Sequence, residues 1–142
     1  MLKVSRHIIG LVLLGLLPAS CGLLEEEQPL LELLPSGQTG VDFNNRLSEG
    51  DSLNILNYVY YYNGGGTGIA DFNNDGLEDL FFTGNETSCR IYLNRGGMHF
   101  EDITEPAGLQ TDGWATGVAI ADVNADGFDD IYICMAGHRD PA

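Results

Sequence analysis

The sequence predicts an all-β fold built from repeated, four-stranded antiparallel sheets. A nine-residue acidic loop occurs at residues 71–79 and again at residues 122–130, an offset of 51 residues (122 − 71 = 51). The apolar tripeptides on either side repeat at the same offset, with residues 68–70 matching 119–121 and residues 80–82 matching 131–133. The chain also contains 19 glycines among its 142 residues, a composition that favours strands joined by tight turns.

The strongly negative net charge argues against nucleic acid as a partner. The chain has 21 acidic and 6 basic residues and a formal charge of −15, so it is not expected to bind nucleic acid. Many of the acids lie in the two loops: Asp71, Asp75, Glu78, Asp79, Asp122, Asp126, Asp129 and Asp130. Part of the acidity is therefore interpreted as capacity to bind cations.

Residues 1–20 are predicted to be a secretion signal. Lys3 and Arg6 precede an uncharged apolar run at residues 8–17, which is shorter than the roughly 20 residues that span a bilayer. The run ends in Pro18-Ala19-Ser20-Cys21 and resembles a bacterial lipoprotein signal. That resemblance implies a lipid on Cys21 that anchors the protein to a membrane without spanning it. An ordinary cleaved signal and a buried apolar helix are the alternatives.

Residues 21–40 are interpreted as an acidic tether. The segment contains three consecutive glutamates, Glu25 to Glu27, and two prolines. Its leucines at positions 30, 31, 33 and 34 leave open a short helical turn or a cover for an apolar surface. An acidic run after a lipidated cysteine resembles the surface-export signals of some Gram-negative lipoproteins. The expected location is the bacterial cell envelope, on the outer membrane, with exposure at the cell surface as an option.

Residues 41–63 are predicted to be an N-terminal strand region. The run Tyr58-Val59-Tyr60-Tyr61-Tyr62 is rich in β-formers and stops at a glycine-rich turn, which indicates a strand with half-buried rings. A stacking platform for sugars or bases is the alternative.

Residues 64–114 form the first repeat unit and residues 115–142 an incomplete second one. In the first unit, strands are predicted at 68–72, 77–83, 89–93 and 99–104, followed by a crossover to Trp114, which is expected to pack at the junction. In the second unit, residues 116–123 open a strand and the sheet continues to residue 135. The runs at 80–82 and 131–133 are apolar on both faces, as expected for sheets packed between neighbouring sheets.

The loop spacing indicates a hard cation. Side-chain oxygens at loop positions 1, 3, 5 and 9, a backbone carbonyl at 7 and a glycine at 6 can wrap one ion, and calcium accepts about six to eight oxygens flexibly. An EF-hand is excluded because its acid at position 12 is replaced by Phe82 and Ile133. The alternative is a pair of Asx-rich turns with solvated acids.

Two sets of residues carry a family resemblance. Residues 68–80 resemble the FG-GAP or VCBS-type repeat of integrin-like β-propellers. Residues 90–96, 100–104 and 107–109 (Arg-Ile-Tyr-Leu-Asn-Arg-Gly, Phe-Glu-Asp-Ile-Thr and Ala-Gly-Leu) resemble the cartilage acidic protein group, also called ASPIC and UnbV. The resemblance covers about residues 58–137 and implies a β-propeller, of which about one and a half blades are present. Because closure needs at least about four blades, we expect either the N-terminal piece of a longer protein or several copies that assemble together.

The resemblance also implies two calcium sites. The implied ligands are Asp71, Asn73, Asp75, the carbonyl of Leu77 and Asp79 in the first loop, and Asp122, Asn124, Asp126, the carbonyl of Phe128 and Asp130 in the second. Glu78 and Asp129, at the eighth position, are expected to face solvent.

The expected function is adhesion to, or binding of, a protein or glycan ligand, without catalysis. No serine or cysteine stands near a histidine in a nucleophile motif. One alternative is the non-catalytic N-terminal part of a larger propeller enzyme that acts on polysaccharide. A glycosidase that uses the loop carboxylates ranks last, because carboxylates bound to calcium stay ionised. Cys89 and Cys134 are left open as a disulfide or as two buried thiols.

Overall fold

A computed structural model describes residues 29–136, and in this part the chain is nearly all β. Its elements are α1 (Ser36–Thr39), β1 (Thr67–Ala70), β2 (Asp79–Phe82), β3 (Arg90–Asn94), β4 (Phe100–Asp102), β5 (Ala115–Ala121) and β6 (Asp130–Met135). Strands β1 to β4 form an antiparallel sheet in sequence order, called sheet 1, and β5 and β6 form an antiparallel pair, called sheet 2. Both lie in the compact unit Leu33–Ala142. The predicted all-β fold, with one four-stranded blade and part of a second, is confirmed.

The register of sheet 1 decides which side chains share a face. Gly68 pairs with Phe81 and Phe81 with Ile91, so these three lie on one face. Ile69, Leu80 and Tyr92 lie on the other face by the same alternation. The predicted strands are all present, with ends that differ by at most two residues from the prediction.

Sheet 2 packs on the first of these faces. The buried core consists of Phe81, Cys89, Ile91 and Ala115, and the partly buried Val118, Ile131 and Ile133 of sheet 2 are among the side chains that pack against it. The apolar residues of both hairpins therefore form one core between the sheets, as predicted for stacked blades.

The other face of sheet 1 is covered by the segment before it. Phe43 stacks on Phe82 with ring centroids 5.0 Å apart and 9° between the planes. Tyr92 is fully buried, and its hydroxyl donates to Asp42 Oδ1 at 2.9 Å. Residues 41–63, all of which are described, contain no strand. The predicted N-terminal strand region is therefore wrong, and this segment covers a sheet instead of extending one.

The tyrosine run forms turns. Tyr61 N donates to Tyr58 O at 3.0 Å and Asn63 N to Tyr60 O at 3.1 Å, so successive backbone groups pair locally and not with a neighbouring strand. The turns place the buried Tyr61 against Trp114, with ring centroids 5.5 Å apart, and leave Tyr60 and Tyr62 exposed. The predicted strand at Tyr58 to Tyr62 is wrong, whereas the packing role predicted for Trp114 is confirmed.

Other expectations for the ends and the cysteines have mixed outcomes. The signal, Cys21 and the glutamate run lie outside the described residues. Within the described part of the tether, one helical turn forms at Ser36–Thr39; Leu30, Leu31 and Leu33 are exposed, and Leu34 is partly buried. Cys89 is buried and Cys134 is exposed, and both are free, so the disulfide is absent and only one of the two thiols is buried. No helix within residues 29–136 is long and apolar enough to cross a membrane.

Candidate metal centre

The two acidic loops have the same backbone conformation. Loop 1 (residues 71–79) joins β1 to β2, and loop 2 (residues 122–130) joins β5 to β6. Position 4 is left-handed in both, with φ of 58° at Asn74 and 61° at Ala125. Position 6 is left-handed too, with φ of 87° at Gly76 and 89° at Gly127, which favours glycine. The repeat seen in the sequence is therefore a repeat of structure.

In loop 1, the predicted side-chain ligands accept hydrogen bonds from loop amides. Asp71 accepts from Asp75 N at 3.0 Å and from Gly76 N at 2.7 Å. The Oδ1 atom of Asn73 also accepts from Asp75 N at 3.0 Å, and Asp75 Oδ1 accepts from Leu77 N at 2.9 Å. Asp79 Oδ2 accepts from Phe72 N at 3.0 Å. The carboxylates thus close the turn and are held on its inner side.

Loop 2 reproduces these five hydrogen bonds at the 51-residue offset. The acceptors are Asp122 (from Asp126 N at 3.2 Å and Gly127 N at 2.9 Å), Asn124 (from Asp126 N at 2.9 Å), Asp126 (from Phe128 N at 2.9 Å) and Asp130 (from Val123 N at 3.0 Å). The hydrogen bond from Gly127 N is the main reason why the pKa of Asp122 lies below its usual value. This carboxylate is accordingly ionised at neutral pH.

The ninth-position acids differ between the loops. Asp79 is fully buried, and its second oxygen accepts from Asn94 N on β3 at 2.7 Å. The Asn94 side chain in turn donates to Glu78 O at 3.0 Å. Asp130, next to the two-stranded sheet, is only partly buried. In sheet 1, Asn94 of β3 therefore fixes the end of loop 1 through these two hydrogen bonds.

The donor set of each loop consists of oxygen atoms, which suits a hard cation. Asp71 Oδ1 and Asn73 Oδ1 are close to each other because both accept from Asp75 N. Across residues 29–136, no group of three or more His, Cys, Asp or Glu side chains is close enough together to hold a metal ion. Any site in these loops would therefore depend on amide and carbonyl oxygens as well as carboxylates. The ten predicted ligands remain a prediction, while Glu78 and Asp129 are exposed, as expected.

The structure adds two features that the sequence analysis missed. Asn74, at a position outside the ligand pattern, donates its Nδ2 hydrogen to Gly127 O at 2.9 Å and so connects the two loops. A polar crevice of about 440 Å³ lies between Ser52, Glu86, Asp112 and Trp114. No sequence signal could have identified either feature, since each joins segments that are distant in the chain.

Comparison with known proteins supports the repeat. Residues 71–133 match the family model of the FG-GAP-like repeat, so the chain carries this repeat across both loops. No curated protein and no solved structure gives a significant match to the chain. The narrower resemblance to the cartilage acidic protein group stays a prediction.

Proposed function

We propose that the FG-GAP-like repeat of this chain is a calcium-binding module of the bacterial cell envelope that attaches to a protein or glycan ligand and catalyses no reaction. The best support for the calcium sites is that the second loop repeats the conformation and hydrogen bonds of the first. Two loops 51 residues apart have the same left-handed positions and the same five side-chain hydrogen bonds. A turn that served only to reverse the chain would not need the same acids at the same positions twice.

The proposed ligands are those implied by the sequence: Asp71, Asn73, Asp75, Leu77 O and Asp79 in loop 1, and Asp122, Asn124, Asp126, Phe128 O and Asp130 in loop 2. A bound calcium ion would neutralise part of the carboxylate charge in each loop. The chain's own backbone amides already hold several of these oxygens on one side of the turn. Binding would therefore require little rearrangement of the backbone.

The same hydrogen bonds support the absence of catalysis. A carboxylate that accepts backbone amide hydrogens is stabilised in its ionised form. Asp122 accepts two such hydrogen bonds, and its pKa lies below the usual value. Asp122 is therefore a poor candidate for the proton-donating role that glycoside hydrolysis needs.

The calcium proposal can be tested with the double variant Asp75→Ala, Asp126→Ala. Calcium at about 100 times its dissociation constant would stabilise the wild-type protein by about 2.7 kcal/mol per site. We expect the variant to lose most of this gain and to melt close to the wild-type temperature in chelator, because both side chains are exposed. Thermal melting with and without calcium measures both quantities, and calorimetric titration counts the sites.

The matched control is Glu78→Ala, Asp129→Ala, which removes the same charge from the same loops at exposed positions. This control should keep the full calcium-dependent gain in melting temperature. A wild-type protein that does not respond to calcium would contradict the proposal. So would equal losses of melting temperature in calcium and in chelator for the Asp75→Ala, Asp126→Ala variant.

A further inference from the structure

We propose that Asn74 is a positioning residue shared by the two acidic loops, so that loop 1 and loop 2 open and close as one unit. Its side chain belongs to loop 1, and the oxygen to which it donates, Gly127 O, belongs to loop 2 at a distance of 2.9 Å. Opening here means the transient loss of the hydrogen bonds within a loop. The link itself needs no cation, whereas its consequence for calcium rests on the proposed function.

The stacking of the two sheets brings the loops together. A Cβ at Gly66 would lie 3.0 Å from Gly117 Cα, and a Cβ at Gly68 would lie 2.5 Å from Ile120 Cδ1. A step along β1 thus corresponds to a step in the same direction along β5, so the two strands run side by side. Each strand leads directly into its loop. The two loops therefore leave their sheets on the same side and lie next to each other.

In loop 2, the hydrogen bond restrains a peptide group that is already held at its other end. Gly127 O accepts from Asn74, and the N–H of the same peptide group, which belongs to Phe128, donates to Asp126 Oδ1 at 2.9 Å. Gly127 has no side chain and a φ of 89°, so its backbone has more freedom than that of other residues. Asn74 limits this freedom just before Phe128, whose carbonyl is a proposed ligand.

In loop 1, the donor lies between two proposed ligands whose positions are fixed. Asn73 Nδ2 donates to Asp75 Oδ2 at 2.9 Å, and Asp75 N donates to Asn73 Oδ1 at 3.0 Å. The backbone is therefore held on both sides of Asn74. A change in the order of loop 1 reaches Gly127 because the side chain that contacts it projects from this held segment.

The corresponding residue of loop 2 separates the link from the backbone conformation. Position 4 of loop 2 is Ala125 (74 + 51 = 125), which is left-handed with a φ of 61°, close to the 58° of Asn74. Loop 2 nevertheless closes with the same five hydrogen bonds as loop 1. An amide side chain is therefore not needed for this loop conformation, and the contact with Gly127 is a separate role of Asn74.

Hydrogen–deuterium exchange of the full chain in chelator tests the link without any cation. We expect Asn74→Ala to speed exchange of residues 122–130 about two- to fivefold, because loop 2 can then open without breaking a hydrogen bond to loop 1. Mass spectrometry with labelling times from milliseconds to minutes measures this change. Residues 90–94 of β3 should exchange as in the wild type. Glu78→Gln is the matched control, since it alters an exposed side chain of loop 1, and it should leave loop 2 unchanged.

A second variant separates the donor from the shape of the side chain. Asn74→Asp keeps the size of the side chain and its tolerance of a left-handed backbone, but an ionised carboxylate cannot donate to Gly127 O. It should speed exchange of loop 2 at least as much as Asn74→Ala does. Unchanged exchange of loop 2 in both variants overturns the proposal. An equal increase in loop 2 and in residues 90–94 also overturns it, because that result indicates a general loss of stability.

In calcium, the same link predicts that one loop responds to binding in the other. Asp75→Ala removes a proposed ligand from loop 1 and leaves Asn74 in place, so calcium should fill loop 2 alone. Exchange of residues 71–79 should then slow about twofold or more, and adding Asn74→Ala should abolish this response, since coupling between two sites is reciprocal. Slower exchange in loop 2 alone overturns the link. No response in either loop contradicts only the proposed calcium sites, and the chelator measurement then decides the link.

Discussion

Tyr92 joins the covering segment to sheet 1 through a single hydroxyl group. Burial raises the pKa of Tyr92 to about 12, and the hydrogen bond to Asp42 adds to the effect. Tyr61 follows the same pattern, since burial and then the hydrogen bond to Glu86 raise its pKa. Each of these hydroxyls is therefore protonated well above neutral pH, and the folded state depends on its proton.

The raised pKa predicts a loss of stability in alkali. The ordinary tyrosine pKa is 10.0, so between about pH 10 and 12 the unfolded chain loses a proton that the folded chain keeps. The free energy of unfolding should then fall as pH rises, by up to about 1.4 kcal/mol per pH unit for this group, and should not depend on it below pH 10. We expect Tyr92→Phe to cost about 1 kcal/mol at neutral pH and to show a shallower alkaline decline.

Urea denaturation between pH 7 and 11 measures this decline. Tyr60→Phe is the control, because that ring is exposed and should keep the wild-type slope. Burial and hydrogen bonds also raise the pKa values of Tyr61 and Tyr62, so only the difference in slope between the wild type and Tyr92→Phe is assigned to Tyr92. Identical slopes for Tyr92→Phe and the wild type would show that the proton of Tyr92 does not contribute.

At the scale of elements, two glycines determine how closely the sheets approach each other. A Cβ at Gly66 would lie 3.0 Å from both Gly117 Cα and Val118 N, which are backbone atoms of β5. A Cβ at Gly68 would meet chiefly Ile120 Cδ1, the mobile end of a side chain. The first contact can be relieved only by moving a strand, whereas a change of rotamer relieves the second.

We therefore expect Gly66→Ala to destabilise the protein by about 1 to 3 kcal/mol, as overpacking against a rigid neighbour does. Gly68→Ala should remain within about 1 kcal/mol of the wild type, because the lower flexibility of the unfolded chain offsets the adjustment of Ile120. Chemical denaturation of the two variants gives the ranking. A larger loss for Gly68→Ala would show that sheet 2 is held by side chains more than by its backbone.

At the scale of the whole molecule, the predicted lipid anchor depends on Cys21, which lies outside the described part of the chain. Cys21→Ser removes the thiol to which a lipid would be attached, so the protein should move from the membrane fraction to the soluble envelope fraction. Cys134→Ser is the control, since this thiol is exposed on sheet 2 and should have no effect on location. Fractionation followed by immunoblotting measures both. If Cys21→Ser still sediments with membranes, the lipoprotein hypothesis is wrong.

The sequence by itself predicted the repeated units, the order of all six strands and the two acidic loops. These features are local: turn glycines, alternating apolar residues and the spacing of oxygen-bearing side chains act within about ten residues. For the same reason the conformation of both loops follows from the sequence, and Asp71 and Asp122 accept hydrogen bonds within their own turns.

Only the tertiary structure decided what lies against each sheet. The tyrosine run is β-forming by composition, yet it forms turns, in which Tyr61 gains a contact with Trp114. Asp79 has a second partner on β3, and residues 41–48 cover a sheet without joining it. Contacts such as Tyr92 with Asp42 connect residues 50 positions apart. They arise from the packing of apolar surface, which no local pattern specifies.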